Sequence, residues 1–183
     1  RDSMPVYHSA LNNFQAQECL GALLLPLRGR AGASVSQVAP PAPADMKEDI
    51  IDEAIKFYRA NVLFRAFDPQ GGADRVLCYL TVYIGECLRL FTKYQTAQDA
   101  IKAGHGMALE NFSVPGDPKF SLGGFFIVPR SGDRQATDQF RQYFRVLRKE
   151  TMVRLADQVY AGGQRNKFWM SFSKKKFMNI NVA

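Results

Sequence analysis

VLCYLTVYIGECLRLF, residues 76–91, holds twelve apolar residues in sixteen, the exceptions being Thr81, Gly85, Glu86 and Arg89. The run from about Ala73 to Tyr94 has no breaker except Gly85, too long for a strand despite its Val, Tyr and Ile content. A surface helix gives about half its circumference to polar residues. This one has only a narrow polar stripe, Thr81, Gly85 and Arg89, four residues apart. It is therefore expected to be a central helix with other helices on most sides. The stripe marks either its one exposed edge or a close crossing at Gly85. The fold class that follows is mainly all-α, a compact helical domain over residues 1–183.

Moving outward, a preceding helix is expected to open at Asp45, with Glu48 three residues on as a capping-box partner. Asp49, Asp52 and Glu53 suit the positive end of its dipole. Ile50, Ile51, Ala54, Ile55, Tyr58, Val62 and Leu63 recur at helical spacing, and Asp68-Pro69 and Gly71-Gly72 end the element. After the central helix, a short helix is expected over 96–103, stopping at Gly104. Residues 111–124 (NFSVPGDPKFSLGG) are irregular, pinned by Phe112 and Phe120. A long helix from Asp133 to Tyr160 points Ala136, Phe140, Tyr143, Phe144, Leu147, Leu155, Ala156 and Val159 inward and stops at Gly162-Gly163.

The ends are less regular. Residues 1–17 read as an N-terminal arm with a turn at Asn12-Asn13; Met4 looks like a start, with residues 1–3 an appendage. Residues 20–27 suggest a strand or pinned segment, and 28–44 (RGRAGASVSQVAPPAPA) an exposed flexible loop. Residues 125–128 are expected to pair with 23–25 as a short two-stranded ribbon. Residues 167–178 (KFWMSFSKKKFM) read as a short helix, although Phe168, Met170 and Phe172 also alternate as in a strand.

The apolar stretches 22–27 and 76–84 fall short of the ~20 residues that cross a bilayer, and no secretory pattern is present. No membrane insertion is expected. Cys19, Cys78 and Cys87 have no metal-binding or bridging spacing and are expected to be small buried thiols. His8 and His105 stand alone. Gly104-His105-Gly106 lacks the Lys and Ser/Thr of a phosphate loop, and no nucleophile elbow occurs. The acidic cluster 45–53 is explained by its place at a helix start and does not match a calcium loop. No catalytic residue, cofactor or metal is expected.

Charge is the one feature with functional content. Residues 1–128 carry 12 basic and 13 acidic side chains, whereas 129–183 carry 12 and 4, so the whole net charge of +7 lies in the C-terminal third. Arg141, Arg145, Arg148 and Lys149 form a basic stripe on the long helix. Beyond it, Trp169 and Phe172 are interleaved with Lys174, Lys175 and Lys176. Such a segment can stack bases and hold phosphates as a nucleic-acid-binding module. It can complete a core while its lysines are solvated, or it can dock on an acidic protein.

The order of motifs adds a resemblance. MPVYHS (4–9), DIIDEAIKFYRANVLFRAF (49–67), ADRVLCYLTVYIGECLRL (73–90), NFSVPGDPKF (111–120), LRKETMVRL (147–155) and FWMSFSKKKFM (168–178) together resemble the 21 kDa subunit (subunit 3) family of the actin-related protein 2/3 complex. The chain departs in its 28–44 loop, in Phe168-Trp169 where the family usually has two Trp, and in Ser171 for a common cysteine. The resemblance implies a non-catalytic structural subunit of a seven-subunit assembly that nucleates a daughter actin filament on the side of a mother filament. It implies packing on actin-related protein 3 near the mother-filament junction, in the cytoplasmic actin cytoskeleton at the cell cortex and projections. Nucleotide binding then belongs to the actin-related proteins, and no nucleic acid partner is expected. Because actin filaments are acidic, the nine residues expected at a protein interface are Trp169, Phe172, Lys174, Lys175, Lys176, Arg141, Arg145, Arg148 and Lys149.

Overall fold

The computed structural model describes residues 6–180. Its elements, in order, are β1 (Glu18–Cys19), β2 (Ala22–Leu23), α1 (Arg30–Val35), α2 (Ile50–Asn61), α3 (Gly72–Phe91), α4 (Ala97–Leu109), α5 (Arg134–Val159) and α6 (Lys167–Met170), with a final 3₁₀ turn at Phe177–Asn179. The class is mainly helical, as expected. No helix among the described residues is long and apolar enough to cross a membrane.

α3 is the centre. Sixteen of its twenty residues are buried, including Thr81 and Gly85. It packs against α2, α5, α4 and β2. The polar stripe is a crossing and not an exposed edge. Thr81 returns its hydroxyl to the Leu77 carbonyl at 2.7 Å, and a Cβ on Gly85 would sit 3.4 Å from Tyr58 Oη of α2. Only Arg89, the last member, reaches partial exposure.

Helix ends follow side-chain chemistry. The cap of α2 is Asp49, four residues beyond the expected Asp45. Its carboxylate accepts from Ile51 N and Asp52 N, while Asp52 accepts from Asp49 N, a reciprocal box. α2 ends at Asn61, well before Asp68-Pro69, and Leu63 is exposed. α5 begins after the cap Asp133, as its sequence indicates. α4 runs through Gly104 to Leu109, beyond the expected stop. Gly104 is there for close approach, since a Cβ would overlap the Met152 side chain of α5.

Two expectations change at the N-terminal side. The ribbon is the hairpin β1–β2, with Glu18 opposite Leu23 and Cys19 opposite Ala22, and not a pairing of 23–25 with 125–128. Its two-residue turn has positive φ at Leu20 (50°) and Gly21 (88°), the twist that a tight hairpin needs. Residues 125–128 touch it through one bond, Ile127 N to Leu20 O at 2.9 Å. Residues 24–27 are pinned apolar backbone, with Tyr143 Oη donating to Leu25 O at 2.7 Å. Residues 28–44 are more than an exposed loop, for they contain α1 and bury Ala31, Val35 and Ala39.

The arm is bolted to the helices by buried polar groups. The Asn61 side chain exchanges two bonds with the Tyr7 backbone, both 3.0 Å. Glu53 accepts from Ser9 Oγ at 2.6 Å and Ala10 N at 2.8 Å. Asp74 lies 2.6 Å from His8 Nδ1 and accepts from Ser9 N and Gln70 N. Residues 1–5 of the expected arm lie outside the described residues. A second bolt joins α5 to the start of α2, where Arg154 forms a two-pronged pair with Asp49 at 2.8 and 3.0 Å and also meets Asp52 and Glu150. Burial alone would raise the Asp49 pKa, but Arg154 and the Arg28 and Asp52 amides hold it below the usual carboxylate value.

Two outcomes are expected. Arg154→Ala leaves Asp49 buried and uncompensated, and should cost about 3–5 kcal/mol in urea unfolding at neutral pH. A carboxylate with a depressed folded pKa stabilises fully above its unfolded value of about 4 and loses that contribution as pH falls through the folded one. The gap between wild type and Arg154→Ala should therefore narrow on acidification. Asp74→Ala strips the acceptor from two amides and His8; it should cost about 2–3 kcal/mol and speed amide hydrogen exchange at Ser9 and Gln70, whereas an unchanged exchange rate there would contradict the bolt.

Candidate functional site

The C-terminal segment folds back across α2. After α5 the chain turns at Gly163 (φ 82°), and Asn166 caps α6 by accepting from Trp169 N at 3.1 Å. This cap aims the Trp169 ring inward. The ring is buried and stacks on Tyr58 at 6.3 Å, while Phe172 meets Tyr58 edge-on at 6.4 Å and Phe177 meets Phe67 at 5.9 Å. The aromatics thus complete the core, and Trp169 is closed to base stacking. Lys174, Lys175 and Lys176 remain exposed, and among the described residues none has a carboxylate partner within 4 Å.

Three neighbours enlarge that face. Phe168, 56% exposed, is the aromatic that faces outward. Arg59 of α2 lies over both rings, 4.9 Å from Phe168 and 5.0 Å from Trp169. Arg65 and Lys176 line one small groove with Leu63 and Met178. Arg59 and Arg65 have no linear motif in common with the C-terminal lysines, so only the fold brings them together.

The basic stripe of α5 splits. Arg145 and Lys149 are exposed, and Arg141 is half-buried, donating to Phe112 O at 3.1 Å and Asn111 Oδ1 at 3.3 Å. Arg148, expected on the surface, is 3% exposed. Its guanidinium donates to Met107 O at 2.6 Å, Ala108 O at 3.3 Å and Tyr79 Oη at 3.3 Å. It lies between the Tyr83 and Phe112 rings, 4.6 and 4.5 Å from their centres. The last carbonyls of a helix have no partner within it, and a cation suits that end of the dipole. Arg148 is thus an internal cap for α4. A signal for this existed, because Arg148 follows Phe144 by four residues and so shares its inward face.

A cleft of about 830 Å³ lies between α3, the end of α4, the 111–122 loop and α5. Arg148 and Arg141 line it from α5, and Tyr83, Glu86 and Arg89 from α3, with Lys93 just beyond the end of α3. Burial pushes the Glu86 carboxyl above its ordinary pKa, with Arg148 and Arg89 opposing. The three cysteines are buried free thiols; burial raises Cys19 to about 11 and Cys87 to about 12. No group of three or more His, Cys, Asp or Glu suited to a metal occurs among the described residues.

The arrangement is one of exposed basic faces around a helical core. The family model for the ARP2/3 complex ARPC3 (21 kDa) subunit matches residues 4–182. A protein of Dictyostelium discoideum named actin-related protein 2/3 complex subunit 3 is 44% identical over 95% of this chain and 98% of its own length. Proteins of the same name are 40% identical in Arabidopsis thaliana, over 97% and 99% of the two chains, and 38% identical in Schizosaccharomyces pombe, over 96% and 98%. With a match this long running from the arm through the C-terminal lysines, the chain belongs to the ARP2/3 complex ARPC3 (21 kDa) subunit family.

Proposed function

We propose that this chain is a non-catalytic structural subunit of an actin-related protein 2/3 complex that packs on actin-related protein 3, and that its C-terminal basic face meets the acidic mother filament. The observation that carries this reading is the cluster of Lys174, Lys175 and Lys176, exposed and without a carboxylate partner among the described residues. It is held on a rigid base because Trp169, Phe172 and Phe177 pack behind it. Arg59, Arg65 and the outward Phe168 extend the face. Lysines at a rim steer encounter and set salt dependence, while a desolvated aromatic carries affinity. Phe168 is the aromatic suited to that second role, and Trp169 contributes by holding the platform. Arg145 and Lys149 offer a second basic edge on α5. Work in the cytoplasmic actin cytoskeleton, at the cortex and in projections, accords with this role.

Charge reversal separates assembly from filament contact. A complex reconstituted with Lys174→Glu, Lys175→Glu and Lys176→Glu should incorporate the subunit normally. Its branch density on preformed filaments should fall about three- to tenfold at low ionic strength, as expected for three exposed charge contacts, with the deficit shrinking as salt rises. Equal branch densities across the salt series would refute the filament contact, and failed incorporation would assign the face to another subunit.

A further inference from the structure

We infer that docking of the N-terminal arm sets the order of the C-terminal basic segment, and that Phe67 carries the coupling between them. The coupling belongs to this chain's own packing and holds whether or not Lys174, Lys175 and Lys176 meet a filament.

The three lysines form a span between two aromatic anchors. Phe172 precedes them and packs edge-on against Tyr58, while Phe177 follows them, buried, with its ring 5.9 Å from Phe67. The first end is also held by backbone, since Lys175 N donates to Phe172 O at 3.0 Å. At the second end Asn179 N reaches Lys176 O only at 3.4 Å, a long bond. The turn that follows is strained, because Met178 (φ 48°) and Asn179 (φ 59°) sit in the left-handed region that side chains with a Cβ disfavour. Such a conformation persists only where its surroundings impose it. Here the seating of Phe177 does so. The turn also touches α3, so unseating Phe177 loosens the segment without detaching it.

Phe67 has little backbone frame of its own. It lies in the irregular connection between α2 and α3, and among the described residues 65–69 make no backbone–backbone hydrogen bond. Its ring is nevertheless buried, and its aromatic neighbours are His8, at 4.9 Å, and Phe177. Elsewhere the connection and the terminal turn stand apart, with Leu63 and Arg65 facing Lys176 and Met178 across a groove of about 410 Å³. The contact of Phe67 with Phe177 therefore fixes how the two segments meet.

His8 is in turn fixed by a buried carboxylate. Its Nδ1 lies 2.6 Å from Asp74, which also accepts from Ser9 N at 2.8 Å and from Gln70 N at 2.9 Å. One carboxylate thus positions both the ring that touches Phe67 and the backbone three residues beyond it. With the arm docked, His8 backs Phe67 and Phe67 backs Phe177. With the arm released, Phe67 loses that support and the strained turn relaxes. Segments with few backbone bonds open locally at low cost, and a coupling free energy acts equally in both directions. Seating of Phe177 must therefore strengthen the hold on the arm.

Amide hydrogen exchange of the full-length chain, followed by NMR, tests this. His8→Ala removes the ring that backs Phe67 and should speed exchange at Asn179 and Ile180 about three- to tenfold, the effect of losing one aromatic contact. The amides of Leu147 and Leu155 in α5 should keep their wild-type rates. In the reverse direction, Phe177→Ala should speed exchange at Ser9 by a similar factor. Phe67→Leu keeps apolar bulk in the connection but breaks the relay, so His8→Ala added to it should have no further effect at Ile180. Wild-type rates at Asn179 and Ile180 in His8→Ala, or at Ser9 in Phe177→Ala, overturn the coupling. A full response to His8→Ala on the Phe67→Leu background removes Phe67 from it. Arg154→Ala destabilises the fold away from the arm; if it speeds Asn179 and Ile180 as His8→Ala does, the effect is global unfolding and the proposal fails. Because exchange and not branching is read, these outcomes are independent of the filament contact.

Discussion

A helix with almost no polar face cannot rest against water, and α3 is such a helix. A fully buried large apolar side chain is worth about 1.5–3 kcal/mol relative to exposure, so the apolar majority of the sixteen buried positions commits the rest of the chain to covering them. α2 covers the side where Gly85 lets Tyr58 approach. α5 covers another, β2 closes on the start, and α4 adds a third helix. On the remaining side the 111–122 loop stands in for a helix, and its imperfect fit is the origin of the cleft. The architecture and this cleft thus share one cause.

Covering α3 with so few long elements leaves many stretches of backbone with no ladder to join. The molecule solves this with buried polar side chains that reach from a helix to irregular chain. Asn61, Glu53 and Asp74 hold the arm. Arg154 ties α5 to the cap of α2, and Arg148 closes the end of α4. Each of these groups would carry a desolvation penalty if left alone. Several charged residues are therefore structural ties, which is why net charge by itself overstates the basic surface.

The long elements were legible in the sequence because their signals were local. The unbroken apolar run marked α3, and Asp133 with a periodic apolar face marked α5. What escaped depended on distant partners. Gly104 looks like a stop until Met152 is seen against it. Asp45 and Asp49 are both plausible caps, and Arg154, more than a hundred residues away, favours the second. α1 hides in a stretch rich in Gly, Ala and Pro because its buried residues, Ala31 and Val35, are small and few. The candidate interface divided in the same way. The run of three lysines was readable as exposed, but the inward turn of Trp169 rests on Tyr58 and the internal position of Arg148 on the carbonyls of α4.

The attachments of the arm carry a consequence for how the chain is made. Tyr7 finds its partner 54 positions later and His8 finds its own 66 positions later. Closing loops of that length costs entropy before any bond repays it. During synthesis at about 5–20 residues per second, the arm emerges before α2 and α3 and has nothing to hold until α2 and the start of α3 have followed. A segment made before the helices is thus settled after them. Its docking onto Glu53, Asn61 and Asp74 reports that the α2–α3 pair has already formed.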